Sequence, residues 1–206
     1  MSPGPGSAKQ VTRREVRRTR AGRGVDERAA TALALGSRAE DLARLLAGRE
    51  TVRRGAARGG PCTALYVSLP AEPGTGPLRQ QLLALGHEVL LPWLRADRDL
   101  DWVRDEGLAG DPLRPPGPRL GPQAVASADL VLVPALAVDG SGTRLGQGGG
   151  SYDRSLVRLR RPAPPFVLAV VHDEEVLPAG ALPAQPHDVA VDGALTPSGL
   201  HLFDRG

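Results

Sequence analysis

Asp129-Leu-Val-Leu-Val-Pro134 is a short, almost wholly apolar run, the pattern of a strand buried on both faces. Residues 63–69 and 88–91 are further short apolar or alternating runs. Residues 78–85 between them carry a helical pattern, so the three together read as a βαβ unit. Residues 166–172 supply a fourth strand, 188–191 a short extended piece, and 151–161 a helix. Strands alternating with helices predict an α/β fold: one domain with an open, mostly parallel sheet flanked by helices. In such sheets ligands sit beyond the carboxyl ends of the strands, so the loops after Leu69, Pro134 and His172 are where a site is sought.

Before these strands, residues 7–20 carry Lys9, Arg13 and Arg17 at i, i+4 spacing, one face of a helix. Residues 26–49 place Ala29, Leu33, Leu42, Leu45 and Leu46 at helical intervals among charges, an amphipathic helix with a break expected at Gly36-Ser37. Residues 53–61, rich in Gly, Arg and Ala, read as a connector. Residues 112–122, rich in Pro and Gly, read as a rigid surface crossing.

The chain is 206 residues long, which fits one domain, expected over residues 7–203 with a flexible N-terminus at 1–6. Aromatic residues make up 3%, so the core must be built from Leu, Val and Ala, and each ring deserves a reason. The N-terminus lacks the apolar stretch of a signal peptide, and no apolar run is long enough to span a membrane; both predict a cytoplasmic protein. Cys62 is the single cysteine, which excludes an internal disulfide, and no Cys/His spacing resembles a zinc site. His87, His172, His187 and His201 form no triad or metal spacing and are expected to be structural or exposed.

Charge is uneven. Residues 1–60 hold 14 basic and 6 acidic side chains, a net +8, and the remainder carries −5. A basic segment can meet nucleic acid or the phosphates of a nucleotide, or it can be a solvated helix face. No aromatic interleaving or recognised nucleic-acid motif accompanies it, so no nucleic-acid partner is expected. Of the 26 basic residues only Lys9 is a lysine. One lysine in so strong an arginine bias marks a position where chemistry selects the residue.

The stretch richest in chemistry is Thr143-Arg144-Leu145-Gly146-Gln147-Gly148-Gly149-Gly150-Ser151-Tyr152-Asp153-Arg154, between a strand and a helix. Four glycines in five residues let the backbone approach an anion and adopt positive φ. The first-turn amides of the helix then point at the same anion. The loop is neither a Walker A motif, since no Gly-Lys-Ser/Thr follows, nor a dinucleotide fingerprint, since Ser151 stands in place of the last glycine.

The order R-L-G-x-G-G-G-x-Y-D-R after a strand ending in Val-Pro resembles the 5-formyltetrahydrofolate cyclo-ligase family, also called methenyltetrahydrofolate synthetases. Further parts occur in the family's order along nearly the whole chain: Lys9-Gln-Val-Thr-Arg13, Tyr66-Val-Ser-Leu-Pro-Ala-Glu72, Pro92, the strand DLVLVPALAVD, and a late Pro-His-Asp188. The resemblance implies a single α/β domain holding a nucleotide between the N-terminal helix and the glycine loop.

It also implies roles for particular residues. Lys9, Arg13, Arg144, Gly146, Gln147, Gly148, Gly149, Gly150, Ser151 and Tyr152 would contact ATP, with Lys9 and Arg144 catalytic. Asp153 and Asp188 would hold Mg²⁺, and Val67, Glu72 and Trp102 would bind the folate, although core packing is an equal alternative for Trp102. The implied reaction is ATP-dependent closure of 5-formyltetrahydrofolate, with one or more glutamates, to the 5,10-methenyl form through phosphorylation of the formyl oxygen. A monomer or weak homodimer is expected. The alternatives are a catalytically silent relative and a basic nucleic-acid-binding protein. Two positions depart from the family: Ser151, where relatives carry the first of two tyrosines, and Arg114, where they carry a glutamate.

Overall fold

The computed structural model of the protein describes residues 5–47, 59–159, 164–185 and 188–204. Helix α1 runs Pro5–Ala21, α2 Val25–Gly36 and α3 Ala39–Ala47. The expected 26–49 helix is thus two helices, parted at Ser37-Arg38 as the Gly36-Ser37 break predicts. Helix α1 begins at Pro5, inside the stretch expected to be flexible; residues 1–4 lie outside the described residues, as do 53–58 of the expected connector.

The expected βαβ unit is present as β1 (Cys62–Ala64), α4 (Gly76–Ala84) and β2 (Glu88–Leu94), with β1 and β2 parallel. Then follow β3 (Leu100–Arg104), a 3₁₀ turn (Pro122–Ser127), β4 (Leu130–Pro134), β5 (Ala137–Asp139) and β6 (Arg144–Leu145). The chain ends with α5 (Ser151–Val157), β7 (Phe166–Val170), β8 (Val176–Leu177), β9 (Gly193–Leu195) and β10 (Leu200–Leu202).

The main sheet has the order β10-β9-β7-β4-β1-β2-β3. Its five inner strands are parallel, and an antiparallel strand closes each edge. Residues 188–191, expected to be extended, form no ladder; the strand starts two residues later as β9. The short β3 and β10, with polar residues interrupting their apolar pattern, were not expected.

Both faces of the inner strands are covered, which is why they read as unbroken apolar runs. In β4, Leu130 and Leu132 face a core shared with Leu35, Leu42, Leu46, Leu78 and Leu82 of α2, α3 and α4. Val131 and Val133 face the opposite core, with Trp102, Val125 and Leu156. Adjacent residues of a strand point to opposite faces, so one pentapeptide serves both layers.

A second small sheet, β6-β5-β8, lies beyond the main one and is tied to it through the segments that follow β4 and β7. Asp139 organises it. This carboxylate is 0% exposed and accepts hydrogen bonds from Ser141 N (3.0 Å), Ser141 Oγ (2.5 Å), Thr143 N (3.1 Å) and Leu182 N (3.0 Å). Four donors satisfy a charge that burial would otherwise make costly. They also fix the turn that delivers Arg144. Among the described residues no helix is long and apolar enough to cross a membrane.

Candidate active site

Two cavities meet at the glycine loop. The first, about 200 Å³, is largely apolar, with Val67, Leu69, Pro92, Leu94, Leu100 and Leu113 in its wall beside Tyr66, Glu72 and Tyr152. The second, about 360 Å³, is ringed by the charged or polar side chains of Lys9, Arg13, Arg154, Gln185 and Asp188. Arg144, Gly146, Gly148, Gly150 and Asp153 line both. The loop is therefore a partition between an apolar chamber and a charged cleft.

Helix α1 is fastened over this partition by its basic face. Arg13 Nε donates to Gly146 O (2.9 Å), and Arg17 donates to the Gln147 side chain (2.7 Å). One turn further, Arg20 forms a bidentate pair with Glu175 (2.7 and 2.6 Å) and donates to Ala135 O (2.7 Å). Arg20 and Glu175 are 2% and 3% exposed. The pair ties α1 to the segments after both β4 and β7. Lys9, Arg13, Arg17 and Arg20 all have partners within the chain.

Lys9 is 6% exposed, an unusual degree of burial for a lysine, and its Nζ meets Asp188 Oδ2 at 2.7 Å. Arg144 Nη2 meets Asp153 Oδ1 at 2.5 Å, Nη1 donates to Pro134 O at 3.3 Å, and the buried Nε has no partner among the described residues. One lysine and one arginine are thus each paired with a carboxylate at the cleft, beside Arg13 and Arg154. The two pairs are neutral by themselves, Arg13 and Arg154 leave the cleft with an excess of positive charge, and the pairs can be re-paired by a ligand that brings both phosphate and metal charges.

In the loop, Gly148 has φ +98° and Gly150 φ +70°, conformations that a side chain would strain. Gly150 is the N-cap of α5, a helix of seven residues where more than ten were expected; residues 160 and 161 lie outside the described residues. So short a helix has little dipole, and attraction for an anion rests on Lys9, Arg13, Arg144 and the loop amides.

In the apolar chamber Glu72 Oε2 accepts from Leu69 N (2.9 Å). Burial raises its carboxyl above the ordinary glutamate value, against the lowering effects of that amide and of Arg20. Tyr152 packs against both cores, and burial pushes its phenol far above the ordinary range.

The structure gathers every expected site residue at these cavities except Trp102. Its side chain is 1% exposed, packed with Val125 and Leu156, and it lines neither cavity. It pairs in register with Pro92 on the same sheet face, so it backs the chamber wall instead of touching what the chamber holds. Core packing, the second of the two expectations, is what the ring does. Of the histidines, His87 is buried against Thr63 Oγ1 (2.8 Å), His172 is buried, His201 is exposed, and His187 lies outside the described residues. The described residues contain no cluster of three or more His, Cys, Asp and Glu fit to hold a metal unaided.

Sequence reasoning missed Tyr66, Leu94, Leu100, Arg154 and the Arg20–Glu175 pair. Tyr66 carried a usable signal: it is one of two tyrosines and immediately precedes Val67. The Arg20–Glu175 contact spans 155 positions and had no local signature.

Comparison with known proteins agrees with this architecture. The sequence pattern of the 5-formyltetrahydrofolate cyclo-ligase family matches residues 6–197. A 5-formyltetrahydrofolate cyclo-ligase of Mycolicibacterium smegmatis is 42% identical over 152 residues, spanning 67% of this chain and 74% of that protein. Its counterpart in Escherichia coli (strain K12) is 30% identical over 143 residues, 66% of this chain and 77% of that one. The structure of Aquifex aeolicus 5,10-methenyltetrahydrofolate synthetase shares the fold with a TM-score of 0.70 at 23% identity, over 96% of this chain and 94% of that one. A synthetase from Mycoplasma pneumoniae gives 0.65 at 19% identity, over 91% and 97%. With the family pattern running through almost its entire length, this chain belongs to the 5-formyltetrahydrofolate cyclo-ligase family of ligases.

Proposed function

We propose that the chain closes 5-formyltetrahydrofolate to the 5,10-methenyl form, with ATP as phosphoryl donor in the charged cleft and the folate in the apolar chamber. The observation that carries this reading is the shared partition: Arg144, Gly146, Gly148, Gly150 and Asp153 line both cavities, so a γ-phosphate on one side can meet a formyl oxygen on the other. The donor set suits a triphosphate. Lys9 is a buried point charge, Arg13 and Arg144 are forks, and Arg144 Nε is a buried donor without a partner among the described residues.

The formyl oxygen attacks the γ-phosphorus as the bond to the β–γ bridging oxygen breaks and ADP departs. N10 then adds to the activated carbon and loses its proton, and the carbon–oxygen bond breaks to release phosphate. An amide oxygen is otherwise a hopeless leaving group. Lys9, Arg13, Arg144 and the amides around Gly148–Gly150 align the phosphoryl group and neutralise charge that grows in flight. Asp153 and Asp188 fit Mg²⁺, which takes few carboxylates and keeps phosphate and water as its remaining ligands; the ion supplies charge neutralisation on the phosphates. Glu72 accepts hydrogen bonds from the amino and N–H groups of the pterin, and Val67 packs against its ring.

The long-wavelength absorbance of the methenyl product tests the reading directly. Growth of the band with protein, 5-formyltetrahydrofolate, Mg²⁺ and ATP, and none when ATP is left out, is the expected result. A flat trace from folded protein that still binds both ligands would make this a silent member of the family.

A further inference from the structure

Tyr66 has no role in the reaction as described, yet its surroundings ask for one. It follows β1, is 3% exposed, and lines the apolar chamber next to Val67. Its Oη is buried and has no hydrogen-bond partner among the described residues. A buried hydroxyl without a partner has given up its hydration for nothing, and phenylalanine would fill the same ring volume without that loss. Burial, reinforced by the nearby charge of Glu72, holds the phenol well above its ordinary pKa, so it remains a neutral O–H with a proton to donate.

Glu72 and Tyr66 therefore offer complementary chemistry on one chamber wall, an acceptor and a donor. The edge of a 2-amino-4-oxopterin presents two donors, the 2-amino group and N3–H, followed by one acceptor, the 4-oxo oxygen. We propose that Tyr66 is a substrate-selecting residue whose phenol O–H donates to the 4-oxo oxygen while Glu72 takes the adjoining donors. The inference rests on the assignment of the apolar chamber to the folate. A 2,4-diamino ring places a donor where the oxo group stood; the phenol can accept from it only by leaving its own proton unpaired. The site should accordingly prefer the oxo ring.

Calorimetric titration of the full chain and of Tyr66→Phe tests this, with 5-formyltetrahydrofolate and with the matched pair folic acid and its 4-amino-4-deoxy analogue. The phenylalanine variant should bind 5-formyltetrahydrofolate and folic acid about tenfold more weakly, whereas binding of the diamino analogue moves less than about twofold. Its thermal midpoint should stay level or rise, because the unpartnered hydroxyl is gone. Unchanged affinities and an unchanged preference for the oxo ring in the variant, with normal binding by the parent chain, would overturn the inference alone. A lowered thermal midpoint would overturn it as well, by showing that the hydroxyl is bonded within the fold. A parent chain that binds none of the three pterins would sink the folate assignment and this inference with it.

Discussion

Lys9 concentrates the chemistry of the site in one side chain. It is the chain's single lysine, it is buried, and its ammonium sits 2.7 Å from Asp188 at the mouth of the charged cleft. Lys9→Ala should reduce kcat/KM by about 10²–10³-fold, the usual effect of removing one preorganised charge from a transition state. Lys9→Arg should recover little, since a planar fork does not replace a compact ammonium in a closed space. Steady-state kinetics at varied ATP would check both, and an arginine variant with full activity would remove the special role. Glu72 makes a second prediction at this scale. Its carboxyl pKa is raised mainly by burial, and in the role proposed for it the group must be ionised to accept from the pterin, so folate affinity should begin to fall, on acidification, at a higher pH than an ordinary glutamate would dictate. Glu72→Gln should bind more weakly and lose that dependence, as titrations across pH would reveal.

Helix α1 carries Lys9 and Arg13, the residues proposed to meet the phosphates, and its most deeply buried fastening is the Arg20–Glu175 pair. Arg20→Ala leaves a carboxylate buried without its cation, so it should destabilise the protein by about 3–5 kcal/mol in denaturant unfolding. It should also raise KM for ATP, because α1 lines the charged cleft with Lys9 and Arg13. At this scale the chain is unevenly legible. Helix α1, the α2–α3 break, β4 and the βαβ unit are readable because periodicity and a single glycine speak locally. Strands β3, β9 and β10 are not, because each is a few residues long and is defined by its neighbour in the sheet. The glycine loop is recognisable as a cradle, but its place as a wall between two cavities emerges only when α1 and the β1–α4 segment are packed on either side. Trp102 illustrates the same limit: its residue type suits a stacking role, and only the fold reveals that its neighbours Pro92 and Leu100 line the chamber while the ring itself is packed in the core.

Among the described residues two histidines are buried, at opposite ends of the sheet, and both bear on the protein's behaviour in acid. His87 precedes β2 and bonds Thr63 Oγ1, while His172 follows β7 and is anchored through its backbone N–H to Glu175 (2.8 Å). Burial lowers the pKa of each below the ordinary 6.5, with Asp129 and Glu175 respectively acting the other way. In the unfolded chain both titrate near 6.5. As pH falls through that value the unfolded chain takes up protons that the folded chain refuses, so stability is full above it and is lost progressively down to the depressed folded values. Glu72 acts in the reverse sense, since its raised pKa makes the fold bind a proton sooner than the unfolded chain; its contribution grows as pH falls. The histidine contribution should make the thermal midpoint of the ligand-free protein decline between about pH 7 and about pH 5, above the range where ordinary carboxylates titrate, with Glu72 opposing it. His87→Asn, whose Oδ1 can stand where Nδ1 meets Thr63, should flatten the slope while leaving the site at the other end of the sheet intact. Midpoints that stay level from pH 7 to pH 5 in the parent chain would mean that the histidines reach solvent and protonate without cost.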